Sequence, residues 1–154
     1  MIDDLDLRIL SHLQSDGRMS NAELARRVGM APSAVLERVR RMEERGVILG
    51  YDARVYPVSL GLGLTAFIFV RTNPVEAVEQ APLLAAIPEV LEVHEVAGED
   101  CFLIKVRVRD TEALARLMRE RVYPIPGVSG TRTTIVLGTT KESTAMPLPD
   151  RSTR

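Results

Sequence analysis

The N-terminal third of the chain carries apolar residues at the spacing of amphipathic helices. Leu5, Ile9 and Leu13 recur every four residues and predict a helix over residues 4–15, with Asp3 as its N-cap. The aspartate and glycine that follow this segment are typical of a helix end. The chain therefore begins with a helix whose apolar stripe needs other elements to cover it.

Two shorter helices are predicted within residues 20–46. Ser20 and Glu23 have the spacing of a capping box, and Gly29 suits the end of the first helix, because glycine adopts the left-handed conformation without steric strain. Pro32 fits the first turn of the second helix. The apolar stripe of this second helix consists of Val35, Val39 and Met42. Two helices joined by a short turn form a helix-turn-helix, but the periodicity alone is equally compatible with a helical hairpin that never contacts DNA.

The polar face of the second helix supplies the candidate DNA contacts. A recognition helix reads base edges through its N-terminal part, which here contains Ser33, Ala34 and Glu37. Glu37 can accept a hydrogen bond from a cytosine amino group, and Arg41 can pair with a guanine or a phosphate. Arg40 lies on the same outward face. Three further arginines are expected to contact phosphates: Arg26, Arg27 and Arg38.

A connector and a second domain follow these helices. Val47, Ile48, Tyr51 and Val55 predict short strands around a glycine, which would form a wing and then a connector. Prolines and glycines beyond residue 56 mark the next boundary. The predicted divisions are a helix-turn-helix domain over 1–50, a connector over 51–61, a second domain over 62–141 and an exposed C-terminal arm over 142–154.

The second domain contains an internal repeat. A strand-like, a helical and another strand-like segment occur twice, and Ile-Pro-x-Val opens the second strand of each repeat, at residues 87–90 and 125–128. Two such units predict an α+β protein with a ferredoxin-like βαββαβ domain, in which a four-stranded antiparallel sheet carries both helices on one face. Pro82 lies inside the first helical segment, so we expect a break in that helix near residues 80–82.

The first predicted strand of this domain is apolar on both faces. Ala66, Ile68 and Val70 alternate with Phe67 and Phe69, whereas two helices can cover only one face of a sheet. A second copy of the chain is the economical cover for the other face, so we predict a homodimer; the alternative is a face covered by the connector. A two-fold dimer would present two recognition helices to successive major grooves, about 34 Å apart.

Composition narrows the class of protein. The 154 residues carry a net charge of −1 and a pI near 6.2, which argues against general binding of polyanions and requires any DNA contact to be local. Four arginines between residues 38 and 45 supply a local cluster. The sequence has no apolar run long enough to span a membrane and no signal-peptide pattern. The single cysteine excludes internal disulfides and a thiolate zinc cluster, so we predict a cytoplasmic protein without metal or cofactor.

Taken together, these motifs resemble the Lrp/AsnC family of prokaryotic transcription regulators over residues 2–148. The matching motifs are Ile2-Asp3-Asp4-Leu5-Asp6-Leu7-Arg8-Ile9-Leu10, Asp16-Gly17-Arg18, Arg38-Val39-Arg40-Arg41-Met42-Glu43, Gly46-Val47-Ile48-Leu49-Gly50-Tyr51, Pro88-Glu89-Val90, Gly98 and Pro126-Gly127-Val128. The resemblance implies a winged helix-turn-helix domain joined to a RAM domain, and DNA-binding dimers that assemble to tetramers or octamers. It also implies a small effector, typically an amino acid, that binds between RAM domains and changes assembly or DNA affinity.

The resemblance further implies where the effector binds. The family's loop after the second RAM strand reads Gly-x-x-Asp followed by an aromatic residue, and here it is Gly98-Glu99-Asp100-Cys101-Phe102. Because Cys101 replaces the family's aspartate, Glu99 or Asp100 would have to pair with the effector's amino group, while the glycine permits close approach to the backbone. The alternative is a plain solvated turn at Glu99-Asp100. Weaker candidates for the pocket wall are Thr133 and Thr134 on the last strand.

Two other functions compete with regulation. The siroheme decarboxylases resemble this family in fold and use histidines near a tetrapyrrole, but this sequence contains only His12 and His94. It has no Ser/His/Asp set, no metal-ligand spacing and no phosphate-binding loop, so we predict no enzymatic activity and no catalytic residue. The third possibility is an architectural or effector-binding protein with degraded DNA recognition, against which the arginine cluster argues.

Overall fold

The computed structural model describes residues 2–73, 75 and 77–149. The chain divides into two compact units: one comprises the segment up to Arg54 together with the segment from Lys141 onward, and the other spans Val55–Thr140. The described part of the predicted C-terminal arm therefore belongs with the N-terminal unit. Across the described residues, the helices are all too short or too polar to cross a membrane.

The N-terminal unit is built from the three predicted helices. They are α1 (Asp4–Ser15), α2 (Asn21–Val28) and α3 (Pro32–Glu44). Asp3 caps α1 in a full capping box with Asp6, whereas Ser20 accepts a hydrogen bond from the Glu23 amide without the reciprocal bond. Gly29 ends α2 with φ 73°, as predicted. The core between the helices consists of Ile9, Leu24, Ala25, Val28, Val35, Val39 and Met42.

The predicted short strands after α3 are wrong, because the described residues 47–56 contain no strand. Two short strands without a covering element are unstable, and Leu49 and Val55 are exposed here. A side-chain contact holds the segment instead: the Tyr51 hydroxyl donates to Glu43 Oε1 at 2.9 Å. Partial burial and, after it, the hydrogen bond to the Glu43 carboxylate raise the pKa of Tyr51 to about 12.

The described part of the C-terminal arm, residues 142–149, packs within the N-terminal unit. The Gln14 side chain on α1 makes a two-point contact with the backbone of Met146: Gln14 Nε2 donates to the carbonyl at 3.1 Å, and the Met146 amide donates to Gln14 Oε1 at 2.5 Å. Arg54 also donates to the carbonyl oxygen of Glu142 at 3.2 Å. These bonds to backbone groups attach the described part of the arm to the N-terminal unit, although it forms no helix or strand.

The second unit has the predicted βαββαβ order. After a 3₁₀ turn at Pro57–Leu60, its elements are β1 (Leu64–Thr72), α4 (Ala77–Ala85), β2 (Val90–Glu95), β3 (Phe102–Val108), α5 (Thr111–Leu117), a π-helical turn (Met118–Val122) and β4 (Val128–Ile135). The strands form one antiparallel sheet in the order β2-β3-β1-β4. The ferredoxin-like prediction is therefore confirmed.

The core of the second unit lies between the sheet and its two helices. Ile68 and Ile104 from the sheet and Leu84 from α4 are fully buried there. On the opposite face, Phe67 and Phe69 are half-buried, as the alternation in β1 predicts. The neighbouring strands make that face more polar than β1 alone indicates. Phe67 is opposed to Lys105 on β3 and Phe69 to Arg132 on β4, and Lys105 is opposed in turn to Glu92 on β2.

The predicted break near Pro82 is wrong, since α4 is continuous from Ala77 to Ala85. The hydrogen bond that proline cannot donate would have reached the carbonyl of Val78, which lies in the first turn at an exposed position. Two buried side chains hold the helix on either side of Pro82. Leu84 packs in the core, and Gln80 Nε2 donates to the carbonyl of Pro126 at 2.6 Å.

Candidate nucleic-acid interface and effector site

Helix α3 presents one polar face outward from the N-terminal unit. Ser33, Glu37, Arg40 and Arg41 are exposed, and Ala34 is half-buried at the edge of this face. The opposite side of the helix is anchored by three buried residues: Val35, Val39 and Met42. The expected outward face is therefore the one that the fold leaves accessible, and its N-terminal end is where a recognition helix contacts bases.

The arginines around this face differ in how they are engaged. Arg40 pairs with Glu44 at 2.8 Å, one helical turn away. Arg41, in contrast, forms no ion pair with any residue in the described part of the chain. Arg26 and Arg27 on α2 both pair with Glu23 and remain largely exposed. Exposed pairs within one helix contribute about 0.3–0.5 kcal/mol, so these guanidinium groups can exchange their partner for a phosphate.

Arg38 departs from its expected role as a phosphate contact. Its Nη1 lies 2.7 Å from Asp3 Oδ2 and 2.8 Å from Asp6 Oδ1, and its side chain is only 23% exposed. The Asp6 amide, and after it Arg38, holds the pKa of Asp3 below its ordinary value. Arg38 therefore ties α3 to the capped start of α1, which removes its charge from the outward face.

A surface hollow of about 330 Å³ lies at the loop between β2 and β3, where the effector loop was expected. The residues that line it are Phe69, Val96, Ala97, Gly98, Glu99, Asp100 and Arg132. Gly98 has φ 141° and nothing within 4 Å of the position where a Cβ would stand. The glycine therefore allows an unusual backbone conformation and leaves the backbone open to close approach by a ligand.

The two carboxylates of the loop have different surroundings. Asp100 is 11% exposed, and its two oxygens face guanidinium nitrogens, Oδ1 at 3.5 Å from Arg71 and Oδ2 at 3.1 Å from Arg132. Glu99 is 90% exposed and lies 3.4 Å from Arg71. Asp100 is thus held in a charge-compensated cluster, while Glu99 projects into solvent.

Arg132 is the functional candidate that sequence reasoning missed. Its guanidinium carbon lies 4.1 Å from the centroid of the Phe69 ring, at cation–π distance. The two residues are directly opposed in the β1–β4 register. They are far apart in sequence, so only the strand pairing could identify them as neighbours; the Thr-Arg-Thr alternation in β4 was the one available signal. Phe69 was missed for the same reason, whereas Val96 and Ala97 directly precede the predicted Gly98 and could have been included with it.

Three candidates for the effector pocket lie outside the lining of the hollow. Cys101 is turned away, because its Sγ donates to the carbonyl of Thr72 at 3.1 Å. Thr133 is opposed to the buried Ile68 and so lies on the helix side of the sheet. Thr134 is opposed to Phe67 on the helix-free face, two residues beyond Arg132 along the strand. Because successive side chains of a strand point to opposite faces of the sheet, the two adjacent threonines lie on different faces.

The two histidines are in different units of the protein. His12 lies on α1, whereas His94 lies on β2 with its Nε2 3.2 Å from Glu92 Oε2. Partial burial acts to raise the pKa of Glu92, but hydrogen bonds from Lys105 and His94 outweigh it and lower that pKa. His94 is therefore part of a small charged cluster on the sheet.

Comparison with known families assigns both units. The model for the Lrp/AsnC ligand binding domain matches residues 65–146, and a winged helix-turn-helix DNA-binding model matches residues 2–48. The chain belongs to the Lrp/AsnC family. Among its relatives, the leucine-responsive regulatory protein of Escherichia coli K12 is 39% identical, with 97% of this chain and 93% of the relative covered. The HTH-type transcriptional regulator FL11 of Pyrococcus horikoshii is 37% identical, with 96% and 97% covered.

Solved Lrp/AsnC structures are similar over nearly the whole chain. A transcriptional regulator from Neisseria meningitidis, in complex with L-methionine, has a TM-score of 0.90 at 33% identity, covering 96% of this chain and 97% of that one. A feast or famine regulatory protein from M. tuberculosis, complexed with L-methionine, has a TM-score of 0.87 at 37% identity, covering 97% and 100%. This Lrp/AsnC protein is thus a DNA-binding transcription regulator, and the relatives give no support to the decarboxylase alternative.

Proposed function

We propose that this Lrp/AsnC regulator binds its operator as a homodimer, with the N-terminal half of α3 in the major groove of each half-site. The observation that carries the proposal is the exposed face of α3, on which Ser33 and Glu37 are accessible in the N-terminal half of the helix and Arg41 in its last turn. Ser33 and Glu37 read base edges, and Ala34 contacts a thymine methyl group. Arg41, which has no ion pair with a described residue, takes a guanine or a phosphate.

The phosphate contacts come from α2 and the flank of α3. Arg26 and Arg27 release Glu23 and bind the backbone, and Arg40 exchanges Glu44 for a phosphate in the same way. Arg38 is left out of this set, because its partners Asp3 and Asp6 engage it inside the domain. A chain with a net charge of −1 binds DNA through this local cluster, in the cytoplasm where its target lies.

We further propose that an amino acid binds at the hollow beside Gly98 and acts as the effector. Two similar regulators are described as complexes with L-methionine, which supports this ligand class. The open backbone at Gly98 and the guanidinium of Arg132 suit the carboxylate of an amino acid. Binding changes the association of dimers into tetramers or octamers and so changes operator affinity, a coupling of about 1–3 kcal/mol.

The test begins with selection of DNA sites from a random library by the full-length protein. Fluorescence polarisation on the selected site then compares the wild type with Arg41→Ala. Loss of one base or phosphate contact should weaken binding by roughly 10- to 100-fold. The matched control is Arg116→Ala, which removes an exposed arginine on α5 of the other unit. Unchanged affinity in Arg41→Ala would contradict the docking of α3, and a library without an enriched sequence would favour an architectural protein.

The effector is tested by a thermal-shift screen of the twenty amino acids. We expect a rise in melting temperature with at least one of them, and a matching change in affinity for the selected site. If no amino acid changes either quantity, the effector part of the proposal fails while the DNA-binding part stands.

A further inference from the structure

The hollow beside Gly98 is better equipped to bind a carboxylate than an ammonium group. Arg132 is the positively charged side chain among its lining residues. A guanidinium has five N–H donors, and Arg132 directs one of its nitrogens to Asp100 at 3.1 Å. The guanidinium carbon lies 4.1 Å from the centroid of the Phe69 ring at the wall of the hollow, and the donors that Asp100 does not use can form a bidentate contact with a planar oxyanion.

The carboxylates that could hold an ammonium group are poorly placed for it. Asp100 is nearly buried, and each of its oxygens already faces a guanidinium, from Arg71 or from Arg132. An ammonium group would have to displace one of these partners. Glu99 is 90% exposed, and an ion pair in that setting changes affinity by less than about fivefold.

The next residue of the loop does not restore an anionic partner. The Cys101 Sγ donates to the Thr72 carbonyl at 3.1 Å, and its amide donates to the Val70 carbonyl at 3.0 Å. Its side chain is thus held at the end of β1 and stays outside the lining of the hollow. The remaining walls are apolar or aromatic and suit a hydrocarbon or thioether side chain.

We propose that this site recognises its effector by the carboxylate and the apolar side chain, and that the α-amino group is dispensable. The effector class is then the 2-substituted carboxylic acids, so that a 2-oxo acid binds about as well as the amino acid of the same side chain. This inference rests on the proposed effector site beside Gly98. It makes Arg132 the residue that determines specificity.

Isothermal titration of the full-length protein with two matched sets of compounds tests the proposal. The first set is L-methionine, 4-methylthio-2-oxobutanoate and L-methioninol; the second is L-leucine, 4-methyl-2-oxopentanoate and L-leucinol. In at least one set, the amino acid and the oxo acid should bind within about fivefold of each other, and the alcohol, which lacks the carboxylate, roughly 10-fold or more weakly.

The possible outcomes separate this inference from the proposed function. Binding of an amino acid without its oxo acid overturns the inference and leaves the amino-acid effector intact. Binding of an oxo acid without its amino acid overturns the expected equal affinities, and with them the inference, and also refutes the amino acid as effector. If no compound of either set binds, both fail for these side chains.

Variants assign the roles of the charged residues. Arg132→Gln should weaken the amino acid and the oxo acid alike, by roughly 10- to 100-fold, and Arg132→Lys should lie between because it keeps the charge without the planar fork. Glu99→Gln should change neither by more than about fivefold. Arg116→Gln is the matched control for loss of an exposed arginine, and urea denaturation midpoints verify folding. A tenfold loss of amino-acid binding in Glu99→Gln, with the oxo acid unaffected, would overturn the proposal.

Discussion

The bridge between α3 and the start of α1 can be tested through Arg38. In Arg38→Met the side chain keeps most of its length and loses the contacts to Asp3 at 2.7 Å and Asp6 at 2.8 Å. The Asp3 carboxylate is 52% exposed, so its contact contributes about 0.5 kcal/mol, in the range of surface pairs. Asp6 is 11% exposed, and loss of its charged partner costs about 1.5 kcal/mol. The expected loss in the free energy of unfolding is about 2 kcal/mol.

The assay is urea denaturation followed by circular dichroism at 222 nm, with Arg40→Met as the matched control. Arg40 lies on the same helix and its ion pair with Glu44 is exposed on both sides, so its removal should cost less than about 0.5 kcal/mol. Equal stability losses in the two variants would refute the argument. So would an Arg38→Met protein of unchanged stability that no longer binds DNA, since Arg38 would then be a phosphate contact.

The bridge also predicts a dependence on pH. The pKa of Asp3 is lowered in the folded protein from an ordinary value of 3.8, so its stabilising contribution is present above that value and is lost as the pH falls through the lower, folded-state pKa. The stability advantage of the wild type over Arg38→Met should therefore shrink below about pH 4. Part of the loss of stability at low pH should persist in Arg38→Met, because the Asp6 amide still donates to Asp3.

Three other features can be tested separately. Gln14→Ala removes the two-point contact with Met146, so trypsin should cleave after Lys141 several-fold faster than in the control Ser15→Ala, where the arm contact is intact; equal rates would show that the arm is held by other groups. Absorbance at 295 nm should reveal a tyrosine that ionises at about pH 12, absent in Tyr51→Phe, and the stability that Tyr51 contributes should be lost between pH 10 and 12, because its pKa is raised on folding. Phe67→Glu places a charge on the helix-free face of the sheet and should convert the dimer into a monomer in equilibrium sedimentation, whereas Val78→Glu, on an exposed position of α4, should leave it unchanged. A wild type that sediments as a monomer at all concentrations would refute the dimer itself.

Local physical chemistry, readable in the sequence, determined much of this protein. Asp3, Ser20, Gly29 and Pro32 mark helix ends because capping depends on the residue type at one position. The apolar stripe of α3 set its outward face, since helical periodicity fixes which residues lie together. The Ile-Pro-x-Val repeat and the alternation in β1 likewise led to the βαββαβ order.

Contacts between distant segments were decided only by the tertiary structure. Arg38 is a charged residue on a predicted DNA-binding helix, and nothing near it in sequence reveals that Asp3 and Asp6 lie against it. Arg132 reaches the hollow because the β1–β4 register opposes it to Phe69, and register depends on the packing of the whole sheet. The segment after α3 forms no strand because nothing covers it, with Leu49 and Val55 exposed, and α4 continues through Pro82 because Gln80 and Leu84 anchor it to other segments of the unit. Short-range spacing thus sets the elements, whereas the partners of a long charged side chain depend on chain segments that meet only after folding.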